Sequence, residues 1–274
     1  MEIEKKFASG PGHHDGRQAA GLAALARRRA TQRQRRVWSG RVSSWHQHGS
    51  ANLANVTAAV IRVASVRPGE VVVDLGSGNG QLSIPLALKG AQVLGVDVSP
   101  AMTGALRSEA NRLGLDNLAA VTAPIEELDL PPASADLIVS SYALHHLRDA
   151  DKAALVNAAA QWLRPGGRLV IADMMFGRGA SARDREIIRQ KLSILARKGP
   201  GGWWRIAKNV VRYQLRVQEC PISLQAWTAL VCTAGFTSVT ASAIVAEAGL
   251  MTAERPGPVH DPRECPTAMA NGAL

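Results

Sequence analysis

The sequence predicts an α/β domain built on a mostly parallel sheet with helices on both faces. Three observations predict it. Short apolar, β-branched runs recur between helical patterns, at Val71-Val72-Val73, Val93-Leu94-Gly95-Val96 and Leu137-Ile138-Val139. These runs are continuously apolar, as strands covered on both faces must be. Finally, Asp74-Leu75-Gly76-Ser77-Gly78-Asn79-Gly80 joins the first run to a helical pattern. A strand, a glycine turn and a helix in that order open a ligand-binding α/β unit.

The elements follow along the chain. Residues 1–50 form a basic N-terminal arm, rich in Gly, Ala and His over its first twenty positions. A helix is expected from Leu22 to Arg36, followed by Trp38, Trp45, His46 and His48 in a polar stretch. Asn55 to Val66 reads as an amphipathic helix, with Val56, Val60, Ile61 and Val63 among small or polar residues. The first strand and glycine turn lead into a helix over 81–88. Gln92 to Asp97 is the second strand, and Ser99-Pro100 opens the next helix. Asp136 to Ser141 is the fourth strand, with His145 and His146 just past it. Leu163-Arg164-Pro165-Gly166-Gly167 reads as a helix end closed by a left-handed Gly166, and the fifth strand runs on to Asp173.

A helical cap of about residues 176–221 is expected next, as two helices. The first runs from Asp184 to Lys198 and stops at Gly199-Pro200. The second places Trp203, Ile206, Val210, Tyr213 and Val217 on one face, and Arg205, Lys208, Arg212 and Arg216 on another. Ile222 to Cys232 is a helix, and 236–244 with 250–254 close the sheet as a hairpin. The main domain thus spans 51–254. The proline-rich tail over 255–274 is expected to be disordered.

The bulk numbers bound the class. The chain has 274 residues, 46% hydrophobic and 20% charged, which is ordinary globular composition. No apolar run reaches membrane-spanning length. The first residues, Met1-Glu2-Ile3-Glu4-Lys5-Lys6, lack the apolar core of a secretion signal. Three cysteines, an odd number without metal-like spacing, do not make a disulfide framework. A cytoplasmic protein is therefore expected. No metal is expected, because no carboxylate or cysteine cluster accompanies the histidines.

The net charge of +10 is uneven. Residues 1–50 hold ten Lys/Arg and three acids, and residues 181–217 hold ten and two. Local excesses of +7 and +8 against a whole-chain +10 leave −5 for the rest. The second cap helix therefore has three readings. It is a cap packed on the domain, a peripheral contact with anionic membrane, or a nucleic-acid contact. Its tryptophans favour membrane over nucleic acid.

The glycine spacing D-x-G-x-G-x-G departs from the dinucleotide fingerprint, in which the third glycine comes one residue later. It resembles the first motif of class I S-adenosylmethionine (SAM)-dependent methyltransferases, among them small-molecule and quinone-biosynthesis enzymes. The resemblance extends through the second strand's acid, the fourth strand and the Pro-Gly-Gly turn, about Val71 to Asp173.

That resemblance implies a Rossmann-like seven-stranded sheet whose last strand inserts antiparallel between strands five and six. It also implies SAM as cofactor, held by Asp74, Gly76, Ser77, Gly78, Asn79, Gly80, Asp97, Val98, Met102, Ile125, Glu126 and Ser141. Asp74 suits a cationic amino-acid end. Asp97 is placed to accept from both ribose hydroxyls, and Met102 is similar to a residue that packs on adenine. The family often has an Asp where this chain has Pro124, so recognition of the adenine amino group is either lost or passes to Glu126, with the Ile125 N–H left to reach adenine N1. His145 and His146 are the candidate general bases, with Tyr142 and Asp173 as weaker candidates. Three functions follow: methyl transfer to a hydrophobic small-molecule or lipid-like acceptor, methylation of RNA, or a non-catalytic SAM-binding scaffold.

Overall fold

The computed structural model describes residues 51–177, 181–196, 220–245 and 247–257, with isolated positions between 31 and 40. Expectations for the N-terminal arm, the second cap helix and the tail beyond 257 lie outside the described residues.

The described elements are α1 (Ala51–Ala64), β1 (Val71–Leu75), α2 (Ser83–Leu88), β2 (Gln92–Asp97), α3 (Pro100–Arg112), β3 (Leu118–Thr122), β4 (Ala135–Ser141), α4 (Asp149–Trp162), β5 (Leu163–Met174), α5 (Ala182–Ala196), α6 (Leu224–Thr233), β6 (Thr237–Ala243) and β7 (Ala248–Glu254). They form one seven-stranded sheet in the order β3-β2-β1-β4-β5-β7-β6. The first five strands pair in parallel. β7 lies between β5 and β6 and runs antiparallel to both, as expected.

Alternation along each strand divides the core into two layers. Val73, Leu75, Leu94, Val96, Ile138 and Ile171 pack with Leu155, Val156, Ala159 and Trp162 of α4 and with Trp227 and Val231 of α6. Val72, Val93, Leu137, Val139 and Val170 pack on the opposite face with Val56, Ala59 and Val60 of α1 and Leu86 of α2. Covering both faces is why the strands read as unbroken apolar runs.

Local chemistry sets the helix ends. Ser99 caps α3, its Oγ accepting the Met102 N–H at 3.4 Å, with Pro100 in the first turn. Ser223 caps α6 through the Ala226 N–H at 3.2 Å. Ser181 and Asp184 form a reciprocal box at the start of α5. The Ser181 Oγ accepts the Asp184 N–H at 3.0 Å and Asp184 Oδ2 accepts the Ser181 N–H at 3.2 Å.

Three details differ from the sequence reading. Gly166 is left-handed (φ +77°), yet it does not end a helix. α4 stops at Trp162, Leu163 is already extended and pairs with Ala135, and the next registered pair is Leu137 with Arg168. Gly166 therefore turns a bulge within β5, which lets four residues loop out without losing the sheet. The folded domain also continues past 254. The Arg255 N–H donates to the Gly167 carbonyl at 2.8 Å, its own carbonyl accepts from Gly166 at 2.8 Å, and its guanidinium reaches the Leu163 carbonyl. Thirdly, Cys232 is disulfide-bonded, while Cys220 is a buried thiol outside any disulfide.

One buried cation ties distant parts together. Lys152 is fully buried, and its Nζ donates to the carbonyls of Leu147 at 2.5 Å and Cys220 at 2.6 Å. Cys220 is thus pinned beside the turn that follows β4. Lys152→Met strips both carbonyls of their donor, at roughly 1–3 kcal/mol for each buried unsatisfied group. The expected loss is about 3 kcal/mol of stability, read as a lowered urea midpoint with an unchanged slope.

Candidate functional site

β1 has β2 on one side and β4 on the other, so the chain leaves β1 where the strand order reverses. A cleft opens outside the carboxyl ends of strands at such a point. Here it encloses about 880 Å³, part of it open to solvent.

The glycine turn forms its floor. Gly76, Gly78 and Gly80 all have positive φ (+80°, +52° and +99°). The N–H groups of Gly76 and Ser77 both donate to the Val96 carbonyl, at 2.8 and 3.0 Å, which lays the turn across the end of β2. Gly95 allows this approach, since a Cβ there would meet Ser77 Cβ at 3.0 Å and Leu106 Cδ2 at 2.8 Å. Sequence reasoning missed Gly95, although a glycine inside a buried strand is a signal of close backbone approach.

Two carboxylates stand at adjacent strand tips. Asp97 Oδ2 accepts the Gly78 N–H at 3.0 Å and Oδ1 accepts the Ser99 N–H at 2.8 Å. Those bonds lock the side chain against the turn and still leave acceptor capacity on each oxygen. Burial raises the Asp97 carboxyl above its ordinary value, although the two N–H bonds pull the other way. Asp74 is 1% exposed, and Ser83 Oγ donates to its Oδ2 at 2.5 Å. Burial, with Asp97 nearby adding to it, pushes Asp74 up to about 7. Ser83, at the start of α2, was also missed by the sequence reading.

The remaining wall comes from four places. Leu53 and Thr57 of α1 cover one side, while Val98 and Met102 follow β2. Ile125 and Glu126 come from the turn after β3, and Ser141, Tyr142, Ala143, His146 and Leu147 from the exit of β4. Burial raises the Glu126 carboxyl above its usual range. The hydroxyls of Ser77 and Ser141 are buried with no hydrogen-bond partner among the described residues, polar groups placed for a ligand to satisfy. No Lys or Arg lines the cleft among the described residues.

Tyr142 holds a left-handed backbone (φ +50°) that a bulky residue seldom adopts. This is local strain at a cleft. Burial, then the carboxylates of Glu247 and Asp173, pushes its phenol up to about 12. It is therefore a hydrogen-bond donor at neutral pH and not a base.

Eleven of the twelve expected binding residues line this one cleft. The exception is Gly80, which packs beneath it: a Cβ there would meet Leu106 Cδ1 at 2.4 Å and Ile84 Cδ1 at 2.8 Å. The two histidines part company. His146 lines the cleft. His145 does not; it is 6% exposed and faces the core, where its Nδ1 lies 2.6 Å from Asp173 Oδ1. Among the described residues no group of three or more His, Cys, Asp or Glu is arranged for a metal. No described helix is long and apolar enough to cross a membrane.

Comparison with known proteins points the same way. Residues 72–167 match the family described as methyltransferase domain. An uncharacterized methyltransferase of Geobacillus thermodenitrificans (strain NG80-2) is 31% identical over 140 residues, 51% of this chain and 60% of that protein. The chain thus spans about three fifths of that curated relative. A solved SAM-dependent methyltransferase from Aquifex aeolicus superposes with a TM-score of 0.54 at 16% identity, over 78% of this chain and 97% of the other. Haemonchus contortus phosphoethanolamine N-methyltransferase 2, solved with SAM, gives 0.55 at 17% identity over 74% and 52%. At those identities the likeness is one of fold.

Proposed function

We propose that this chain carries a class I SAM-dependent methyltransferase domain and methylates a nucleophile on a hydrophobic small-molecule or lipid-like acceptor; the methyltransferase-domain match over residues 72–167 and the methyltransferase relative support the reading. The observation that carries the reading is the charge of the cleft. Asp74, Asp97 and Glu126 line it with no described Lys or Arg among them. A phosphate-bearing dinucleotide would be repelled there, whereas SAM, with its ammonium and sulfonium, is attracted. Asp74 would hold the ammonium and Asp97 the ribose hydroxyls, between the apolar walls of Val98, Met102 and Ile125. When bound, SAM supplies an electrophilic methyl on an excellent leaving group.

The chain's own residues then have little covalent chemistry to do. They align the acceptor and exclude water, which is catalysis by proximity. Leu53, Leu147 and the ring of Tyr142 favour an apolar acceptor body, and the Tyr142 hydroxyl can donate to its polar end. His146 is the candidate base for an acceptor that must lose a proton. The basic stretch 181–217 supports a peripheral contact with anionic membrane, in keeping with a lipid-like acceptor.

Asp74 gives a pH dependence with a defined sign. Its ionised form attracts an ammonium, and the free protein takes up that proton as pH falls through about 7. SAM affinity is therefore expected to drop about fivefold to tenfold between pH 8 and pH 6, by titration calorimetry. In the free protein the raised value works against the ionised folded state, so Asp74's contribution to stability declines as pH rises from about 4 to 7.

The reading is tested with methyl-tritiated SAM, the full chain, and separate fractions of organic-extractable metabolites and total RNA. Label in the organic fraction supports it. Label in RNA replaces the acceptor class with nucleic acid. SAM binding without label in either fraction points to a scaffold.

A further inference from the structure

His145 and His146 are adjacent in one short turn, yet the fold treats them oppositely. Asp173, at the end of β5 and 1% exposed, holds His145 twice. Its Oδ2 accepts the His145 backbone N–H at 2.8 Å, and its Oδ1 lies 2.6 Å from His145 Nδ1. The same Oδ1 accepts the Met174 N–H at 2.7 Å. Two backbone N–H groups and one ring nitrogen thus converge on this single carboxylate. An acceptor at that distance places a proton on Nδ1. The His145 carbonyl is fixed too, by the Cys220 N–H at 2.6 Å. The ring centroids of His145 and His146 are 4.0 Å apart at 46°. His146 therefore rests on a ring whose position and tautomer Asp173 decides.

We propose that Asp173 and His145 form an internally neutral positioning pair that sets both the placement and the proton affinity of His146 at the cleft. The use of His146 as a base rests on the proposed methyl transfer; the pair itself does not. A bare buried carboxylate behind His146 would hold a proton on it. The imidazolium of His145 cancels that charge and leaves His146 a lone pair near neutral pH, where a general base works best.

Among the described residues, ionisable groups from the neighbouring elements also stand around this turn. Tyr142 at the β4 exit stays protonated, held so by burial and by Glu247 of the β6–β7 turn and Asp173. Lys152 of α4 places its cation on the Leu147 carbonyl. Cys220 sits on the His145 carbonyl, and Asp74 and Glu126 belong to the same cleft. Apart from Asp173, none of these residues is substituted in the variants below; Asp173→Asn removes one of the charges acting on the Tyr142 phenol.

Nitrogen-15 NMR on histidine-labelled full-length protein tests the pair without SAM or an acceptor, with His145 and His146 assigned by the signals lost in His145→Gln and His146→Gln. At pH 7 in the unmutated protein, His145 is expected to show both ring nitrogens protonated, and a neutral His145 ring overturns the proposal. In His145→Gln the Asp173 charge is left uncompensated, and His146 is expected to titrate about one unit higher. The double variant His145→Gln/Asp173→Asn should return His146 to its original midpoint. A His146 midpoint unmoved by His145→Gln also overturns the pair. If His145→Gln does not fold, His145→Asn takes its place for the assignment, and the ring state of His145 in the unmutated protein decides. Failure here leaves methyl transfer standing, and failure of methyl transfer leaves these spectra unchanged.

Discussion

Asp97→Ala is expected to weaken SAM binding about a hundredfold while the protein stays folded. A hydrogen bond to a charged group contributes roughly 1.5–3 kcal/mol. Two ribose hydroxyls on one carboxylate therefore represent at least about 3 kcal/mol, and each 1.4 kcal/mol is tenfold in affinity. A further loss comes from organisation, because Asp97 also fixes the Gly78 and Ser99 N–H groups at 3.0 and 2.8 Å. Stability should suffer less than binding. Burial raises the Asp97 carboxyl, so the folded state gains nothing from its charge at neutral pH. Asp97→Asn keeps one acceptor oxygen and should fall between, at about tenfold. Calorimetric titration with SAM, alongside thermal melts of each variant, checks both halves. An alanine variant that binds within twofold of the unmutated protein contradicts the assignment of Asp97.

The signals that were legible in the sequence are local ones. Three glycines at alternate positions announce positive φ, and all three adopt it. Val71-Val72-Val73 declares a strand buried on both faces, and alternate residues do pack into the two opposite core layers. Asp97 ahead of Ser99-Pro100 marks a strand tip feeding a capped helix, and the cap is present. What stayed hidden depends on partners far along the chain. Nothing near His145 says that its ring turns inward; that is decided by Asp173, twenty-eight residues on. The interior place of Lys152 is decided by the carbonyl of Cys220, sixty-eight residues away. Gly166 misled for a related reason. Its left-handed φ was readable, but a helix end and a strand bulge require the same φ, and only the Ala135–Leu163 pairing distinguishes them.

The glycine turn supplies the second large effect, because its members are glycine for different reasons. Gly76→Ala forces a Cβ to 2.2 Å from Ala143 Cβ, a separation that no rotamer change can relieve. The backbone must move, and the neighbour that must yield is held by Tyr142 in its left-handed conformation. Overpacking of this kind costs roughly 1–3 kcal/mol, and a left-handed alanine adds about 1–2 kcal/mol. The expected outcome is about 3 kcal/mol of lost stability together with loss of measurable SAM binding. Gly78→Ala differs, since no atom lies within 4 Å of a Cβ built there. Only the left-handed cost remains, about 1–2 kcal/mol. Its new methyl would, however, sit on the turn that floors the cleft, beside the N–H that anchors Asp97. Gly78→Ala should therefore stay folded and bind SAM at least tenfold more weakly. Urea unfolding and calorimetry on both variants separate the cases: equal stability losses would mean that Ala143 is free to retreat, and undiminished binding in Gly78→Ala would mean that the ligand does not approach the turn.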